Sequence, residues 1–212
     1  MKIKKISLFL TGLMCASSVF AEVSSWLVRV RGIDVIPDVS SSRITKIGGH
    51  VTDISNQVTG ELDFSYFINN NIAAELILAT TRHSVVAHHT ALGTVNLGHV
   101  SVLPPTLTAQ YHFLPQHMVN PYAGVGINLT HFYDVNHGPV PIITGLHYGN
   151  TVGPAFQLGT DIAINDHFSL NLDVKKILMR TDVKVFTTAA GVLKTRVTID
   201  PWVVGGGLGY RF

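Results

Sequence analysis

The sequence predicts an all-β protein: an eight-stranded antiparallel transmembrane β-barrel preceded by a cleaved signal peptide. Three observations indicate this fold. Charged residues make up only 13% of the 212 residues, about half of the usual share, while 46% are hydrophobic. After the first twenty residues, no apolar run is long enough for a spanning helix, which needs about eighteen residues. Apolar and polar residues instead alternate with a period of two, as they do in membrane barrels.

The first segment has the pattern of a secretory signal peptide. Basic residues at positions 2, 4 and 5 precede an apolar stretch at 6–15, and Val19 and Ala21 occupy the minus-three and minus-one positions. We expect cleavage after Ala21, which leaves one domain at 22–212. A lipoprotein signal ending at Cys15 is the rival interpretation, but the residues before it lack the small side chains that such a site requires.

Removal of this segment changes what the composition implies. The signal carries three of the fifteen basic residues, so twelve remain against thirteen acidic residues, and no basic patch suggests nucleic acid. The sole cysteine, Cys15, is removed as well. We therefore expect no disulfide, no thiolate metal site and no cysteine nucleophile in the mature chain.

Eight strands follow from the alternation. In the second, Leu62, Phe64 and Tyr66 alternate with Glu61 and Asp63. The third, fourth and seventh show the same two faces, around Glu75, Gln110 and Asp173. The predicted strands span 24–37, 57–68, 72–84, 100–113, 121–133, 153–164, 168–180 and 196–212.

The connections between these strands alternate in length. Segments 69–71, 114–120 and 165–167 are short, whereas four segments are much longer and are predicted to be loops. Outer-membrane barrels have short periplasmic turns and long extracellular loops. The long segments, at 38–56, 85–99, 134–152 and 181–195, are therefore placed outside the cell.

The energy of charge in lipid decides which strand face points inward. A charged side chain at the bilayer midplane costs about 2–4 kcal/mol for Arg or Lys and somewhat less for Asp or Glu. The apolar face must therefore contact lipid, and the charged side chains must lie in the lumen, where they can pair. This predicted charge plug consists of Arg29, Arg31, Glu61, Asp63, Glu75, Asp161, Asp173 and Lys175.

The outer half of the same inward face is apolar. An eight-stranded barrel holds little more than its own side chains or one small ligand, so an open aqueous pore is excluded. An apolar compartment above a charged plug suits a small hydrophobic solute that enters from outside. The predicted ligand-binding residues are Ile33, Val35, Ile77, Val102, Phe132, Ile199 and Val203.

Two adjacent prolines interrupt the fourth predicted strand. Pro104 and Pro105 each lack the backbone donor that a ladder needs. One interpretation is a break in the wall through which an apolar solute leaves sideways into the bilayer. The other is a bulge that only bends the strand.

Several stretches of the mature chain resemble the OmpW family of outer-membrane proteins. The resemblance covers nearly all of 22–212. The stretches that carry it are Trp26-Leu27-Val28-Arg29-Val30-Arg31, residues 61–75, Leu103-Pro104-Pro105-Thr106-Leu107, Pro121-Tyr122-Ala123-Gly124-Val125-Gly126, Asp173-Val174-Lys175-Lys176 and residues 199–212.

This resemblance implies an eight-stranded barrel in the Gram-negative outer membrane, surrounded by outer-membrane lipids, that passes small hydrophobic compounds. An alkane-uptake protein is among the family's members. The resemblance implies no cofactor. Tyr210 and Phe212 in the last residues are similar to the C-terminal signal that the barrel-assembly machinery reads. The four long segments match no family motif that we can identify.

Three alternatives remain open. The histidines at 50, 83, 88, 89, 99, 137 and 147 make a metal site conceivable, although no ligand spacing accompanies them and solvated loop histidines are the favoured interpretation. An enzyme would need a nucleophile, a histidine and a carboxylate, for which Ser65, His112 and Asp63 are the inward candidates, and we expect no enzyme. A structural, adhesive or receptor barrel would act through its loops and hold no ligand inside.

Overall fold

The computed structural model describes residues 25–46, 48–91 and 93–212. The predicted signal peptide, its cleavage after Ala21 and Cys15 lie outside the described residues. Every regular element in the described ranges is a β-strand. None of these residues forms a helix long and apolar enough to cross a membrane.

Fifteen strands follow one another along the described chain. They are β1 (Trp26–Ile36), β2 (Ser40–Ser41), β3 (His50–Ile54), β4 (Gln57–Phe67), β5 (Ile72–Ala79), β6 (Thr81–Thr90), β7 (Gly93–Leu103), β8 (Thr106–His112), β9 (Val119–His137), β10 (Ile143–Tyr148), β11 (Thr151–Ala163), β12 (Phe168–Ile177), β13 (Arg180–Thr187), β14 (Gly191–Thr198) and β15 (Trp202–Arg211).

Eight of these strands close into a barrel. The antiparallel order is β1, β4, β5, β8, β9, β11, β12 and β15, and β15 pairs back with β1. Closure matters because an open edge would leave unpaired backbone groups in lipid. Each predicted strand overlaps one of these eight, although β9 and β11 begin before the predicted ranges and β9 also ends after its range, so the predicted eight-stranded barrel is confirmed.

The interpretation of the four long segments as loops is wrong. They contain β2, β3 and β10, most of the β6–β7 hairpin and most of the β13–β14 hairpin. These strands form two sheets beyond the barrel, β3-β6-β7 joined to the upper part of β9, and β10-β13-β14-β2. We call them together the extension. The alternation of apolar and polar residues along the strands of the extension is short and is interrupted by threonines and histidines. It therefore gives only a weak period-two signal in the sequence.

The barrel's outward face is apolar, as expected because charged side chains are costly in contact with lipid. Exposed side chains around the barrel include Val30, Leu107, Ile127, Leu158 and Leu172. Asp34 and Lys176 depart from this pattern, near the upper ends of β1 and β12. Two aromatic pairs lie at the opposite, lower rim. The ring centroids are 5.1 Å apart in the pair Trp26–Tyr66 and 5.0 Å apart in the pair Tyr210–Phe212.

Candidate functional site

Strand β1 shows how the lumen is divided into two levels. Its inward residues alternate along the strand, so Arg29 and Arg31 are followed by Ile33 and Val35 on the same face. Both arginines and Ile33 are buried. The inner wall therefore changes from charged to apolar within a single two-residue step.

Arg31 is the centre of the charged level. Its guanidinium lies 2.9 Å from Glu61 Oε1, 2.7 Å from Asp63 Oδ2 and 3.2 Å from Asp173 Oδ2. A longer contact of 3.7 Å reaches Glu75. The carboxylates come from β4, β5 and β12, so one arginine ties together strands that are distant in the chain.

Arg29 and Lys175 complete the network below and above Arg31. Arg29 donates to Glu75 Oε1 at 2.9 Å and to Asp161 Oδ2 at 2.6 Å. Lys175 Nζ donates to Glu61 and Asp173, each at 2.7 Å. The structure therefore brings all eight residues of the predicted charge plug into one buried network.

Neutral side chains that were not among the predicted plug residues donate hydrogen bonds to two of its carboxylates, Glu75 and Asp173. The Tyr122 hydroxyl donates to Asp173 at 2.8 Å, and Gln110 donates to Glu75 at 2.7 Å. Gln157 donates to both carboxylates, at 2.8 and 3.0 Å. Because these side chains alternate inward on β8, β9 and β11, the period of two could have identified them from the sequence. Buried carboxylates need such donors, because an unpaired buried charge is costly.

The apolar level encloses a cavity of about 70 Å³. All seven residues predicted to bind a hydrophobic solute line it: Ile33, Val35, Ile77, Val102, Phe132, Ile199 and Val203. Glu61 and Lys175 also line it, so the charge plug forms its floor. His83 and Thr81 are polar residues in the wall, and they hydrogen-bond each other at 2.9 Å.

A second, polar cavity lies on the other side of the plug. It has a volume of about 280 Å³ and is lined by residues of the lower turns, including His117 and His167. Asp161 lines this cavity, whereas Glu61 lines the apolar one. The charge plug therefore separates a polar lower cavity from an apolar upper cavity.

A third, smaller cavity of about 40 Å³ lies in the extension. Its lining is mostly apolar and includes Ile44, Val95 and Leu193. Leu97 lines both this cavity and the larger apolar one. The buried apolar side chains of the extension form one continuous cluster around the two. An apolar interior thus continues from the barrel through the extension.

The wall beside the larger cavity contains a gap in strand pairing. The β5–β8 ladder ends at Ile77 and Thr106, and the β6–β7 ladder begins at Thr81 and Val102. Between these points, the registers of the described strands give residues 78–80 no backbone partner among 103–105. Pro104 and Pro105 lie in this gap, and Pro104 and Ala79 both line the cavity.

A second break in the strands, between β12–β15 and β13–β14, is closed by hydrogen bonds. The amide of Ile199 donates to the Met179 carbonyl at 3.0 Å, and that of Ile177 donates to Pro201 at 3.2 Å. The Asp200 carboxylate accepts from the Met179 amide at 2.7 Å. At the proline gap, the contact at the upper edge is a side-chain bond of 3.3 Å from Thr80 to the Val102 carbonyl. The two breaks therefore differ in how firmly they are held.

The structure separates the inward trio considered for catalysis. The Ser65 hydroxyl accepts from Arg29 and donates to Glu75, whereas Asp63 faces Arg31. His112 contacts Gln110 and Asn120 instead. The nucleophile and the histidine therefore have different partners.

The seven histidines in or beside the long segments lie on β3, β6, β7, β9 and β10. Within the described ranges, no three His, Asp or Glu side chains converge as metal ligands would. His83 is buried, and desolvation lowers its pKa, although the Ser55 carbonyl that contacts its ring opposes this shift. His83 thus borders the apolar cavity as a neutral side chain at neutral pH.

Comparison with known proteins gives close sequence relatives. An uncharacterised outer-membrane protein, y4mB of Sinorhizobium fredii, is 42% identical over 92% of this chain and 82% of its own. Outer membrane protein W of Salmonella typhi is 32% identical over 97% of each chain. A protein of Pseudomonas aeruginosa named dibenzothiophene metabolism operon protein PahQ is 26% identical over 99% of this chain and all of its own.

A solved structure has the same architecture. The outer membrane protein OprG of Pseudomonas aeruginosa superposes with a TM-score of 0.84 and 27% identity, over 90% of this chain and 96% of its own. A family model described as the OmpW family matches residues 22–212. The matched range is the whole predicted mature chain, and it includes the plug, the cavities and the proline gap. The chain is therefore an outer-membrane β-barrel that belongs to the OmpW family.

Proposed function

We propose that this barrel binds small hydrophobic molecules and passes them from the outside into the outer membrane, without chemistry on them. The observation that carries the proposal is the apolar cavity at the level of Phe132 and Val203, which is closed below by the charge plug. An apolar solute gains free energy when it leaves water for such a compartment. The same solute would have to break buried ion pairs to travel further down.

The size of the cavity limits the class of solute. An engineered cavity of about 150 Å³ lined by apolar side chains binds one benzene. The cavity here, at about 70 Å³, is smaller, so a solute of one or two rings would have to displace side chains such as Phe132. Compact apolar molecules therefore suit it better than polar or bulky ones. The PahQ relative is named for the metabolism of dibenzothiophene, an apolar aromatic compound of three fused rings that would need a larger displacement of side chains.

The route out of the cavity would be lateral. The charge plug closes the floor, whereas the unpaired stretch at Pro104 and Pro105 borders both the cavity and the lipid-facing wall. Widening that gap breaks no backbone ladder, because the pairing already stops at Thr81 and Thr106. A solute would then enter hydrocarbon directly and avoid water. If the two prolines only bend the strand in a bulge, the wall stays closed and this lateral route is not available.

The binding step is tested by placing a charge in the cavity. Phe132→Asp or Val203→Asp should reduce uptake of naphthalene or dibenzothiophene into proteoliposomes by tenfold or more, because an apolar solute cannot compensate a buried carboxylate. Thr144→Asp, on the exposed face of β10, is the matched control and should transport normally. The heat-modified electrophoretic mobility of each variant reports whether the barrel is folded. Normal uptake by both folded cavity variants would leave a structural, adhesive or receptor barrel as the better account.

The lateral step is tested at the prolines. The double variant P104A/P105A restores two backbone donors and should extend the ladder across the gap. Uptake should fall while the affinity of the cavity for the solute stays unchanged. Pro115→Ala, in a lower turn, serves as the control. Unchanged uptake by a folded double variant would assign the prolines to a bulge.

A further inference from the structure

The sheet β10-β13-β14-β2 has one face turned away from the tube. Val183, Val185, Leu193 and Val197 are buried against the apolar interior of the extension. The residues that alternate with them point outward and are exposed. On β13 and β14 these outward charged residues are Arg180, Asp182, Lys184, Lys194 and Arg196. We call them the basic face.

The strand register places like charges next to each other on the basic face. Lys184 pairs directly with Lys194, so two like charges are cross-strand neighbours. Opposite side chains of this kind have Cβ atoms about 4.5–5.5 Å apart, and like charges so placed destabilise a sheet. The arrangement costs stability unless something negative covers it.

The basic face supplies little negative charge of its own. Asp182 is its carboxylate, and it is held by Arg196 at 2.9 Å. In the part of the chain that the structure describes, no ion pair joins Lys184 or Lys194 to a carboxylate. Lys46 lies near the end of the β13–β14 hairpin, where its ammonium group donates to the Ala190 carbonyl at 2.6 Å. A further positive charge therefore borders the face.

The other wall of the extension has a different charge balance. The exposed charged residues on β3, β6 and the upper part of β9 are Asp53, Arg82 and Asp134. These are one cation and two carboxylates, so the net charge of that wall is slightly negative. Solubility alone would not concentrate the cations on one wall.

The basic face begins where the apolar belt of the barrel ends. Leu178 and Trp202 are exposed apolar side chains at this level, and the Lys176 ammonium lies 4.7 Å above the Trp202 ring. Arg180 follows two residues after Leu178. Lys184 lies four residues further along β13, about 13 Å at the usual rise of a strand. The basic face therefore stands at the height of the lipid head groups in the outer leaflet.

We propose that the basic face binds the phosphate groups of lipopolysaccharide, the phosphorylated glycolipid of the outer leaflet. A phosphate between Lys184 and Lys194 would turn their repulsion into two charge-assisted hydrogen bonds. A lysine ammonium is a compact point charge that suits such a group. Arg180, closer to the apolar belt, would meet a second phosphate nearer the acyl chains. The bound glycolipid would anchor one wall of the extension upright in the leaflet.

The experiment measures binding of the full-length mature barrel to lipopolysaccharide in mixed micelles at low ionic strength. K184Q/K194Q should weaken binding by about twenty-fivefold, because each basic residue near an anionic lipid surface contributes roughly a fivefold factor. Arg82→Gln on the opposite wall is the matched control and should bind like the wild type. Enzymatically dephosphorylated lipopolysaccharide should bind the wild type at least as weakly as the phosphorylated form binds the double variant, because dephosphorylation also removes the phosphate assigned to Arg180.

A second readout separates this role from a folding defect. Without lipopolysaccharide, the double variant should be at least as stable as the wild type, because the repulsion between the two lysines is gone. With lipopolysaccharide, the wild type should gain more stability than the double variant. Equal binding by both proteins, or indifference to dephosphorylation, would overturn the proposal, as would tighter binding of a soluble polyanion such as heparin. Uptake of hydrophobic solutes should be unchanged in K184Q/K194Q, so the outcome is independent of the proposed transport.

Discussion

The charge plug and the apolar cavity are built from the same strands in the same register, yet they differ in almost every physical respect. On β1, Arg31 belongs to the plug and Ile33 to the cavity, two residues apart. On β12, Lys175 and Ile177 show the same change. Strand geometry therefore does not determine which side chains fill the lumen. The inward side chains alone make the lower part of the lumen a charge plug and the upper part an apolar cavity.

The two levels also differ in what holds them together. The plug depends on specific pairs, in which each guanidinium must meet its carboxylates at hydrogen-bonding distance. The cavity depends on non-directional apolar contact, which tolerates shifts of a side chain. The plug should therefore be intolerant of single changes, and the cavity should adapt to a guest. Three predictions test this contrast.

The largest effect is expected from removing the central cation. Arg31→Met leaves Asp63 without its ion-pair partner and removes one of the two cations that contact Glu61 and Asp173. Removal of one partner from a buried ion pair costs about 3–5 kcal/mol. The free energy of unfolding in lipid vesicles, measured with urea, should fall by that amount. Arg82→Met, on the exposed face of β6, should change it by less than about 0.5 kcal/mol. Similar losses in both variants would contradict a plug held by specific pairs.

A smaller effect is expected from crowding the plug without changing its charge. Gly159 leaves room for Tyr122, and a Cβ at this position would overlap the Tyr122 ring. Gly159→Ala should displace the hydroxyl from Asp173 and cost about 1–3 kcal/mol, the usual range for overpacking. At Gly60, by contrast, an added Cβ meets no atom within 4 Å. Gly60→Ala should therefore be close to neutral in the same urea unfolding measurement, and equal losses would show that the plug is not tightly packed.

The smallest effect is expected from titrating the cavity wall. Burial lowers the pKa of His83, so the unfolded chain takes up the proton at a higher pH than the folded chain does. Stability from neutral His83 is then fully present above the unfolded pKa of about 6.5 and declines as the pH falls below it, by at most about 1.4 kcal/mol per pH unit.

The measurement is a series of urea unfolding curves between pH 8 and pH 5. His83→Gln keeps a neutral polar side chain and should remove this part of the pH dependence. His99→Gln, at an exposed histidine on β7, serves as the control for loss of a histidine outside the cavity wall. A His83→Gln profile identical to that of the wild type would show that the histidine does not titrate in this range.

The sequence by itself determined which way the side chains of the barrel face. A charge such as Asp63 or Lys175 cannot face hydrocarbon, and the period of two then fixes the position of every neighbour on the strand. The period of two therefore predicts that the plug and the seven residues of the cavity lie on the inner face. The sequence also anticipated the strand interruption at Pro104, because a proline cannot donate to a ladder.

Only the tertiary structure decided which charges pair, where the pairing stops and what the long segments do. Arg29 and Asp161 are 132 residues apart, and they meet because barrel closure brings β1 within reach of β11. The alternation along a strand carries no information about such partners, since register and closure are properties of the whole ring. The extension was missed for a related reason. Short strands such as β13 and β14 become stable only when their apolar faces pack on one another, a contact that no local pattern reveals.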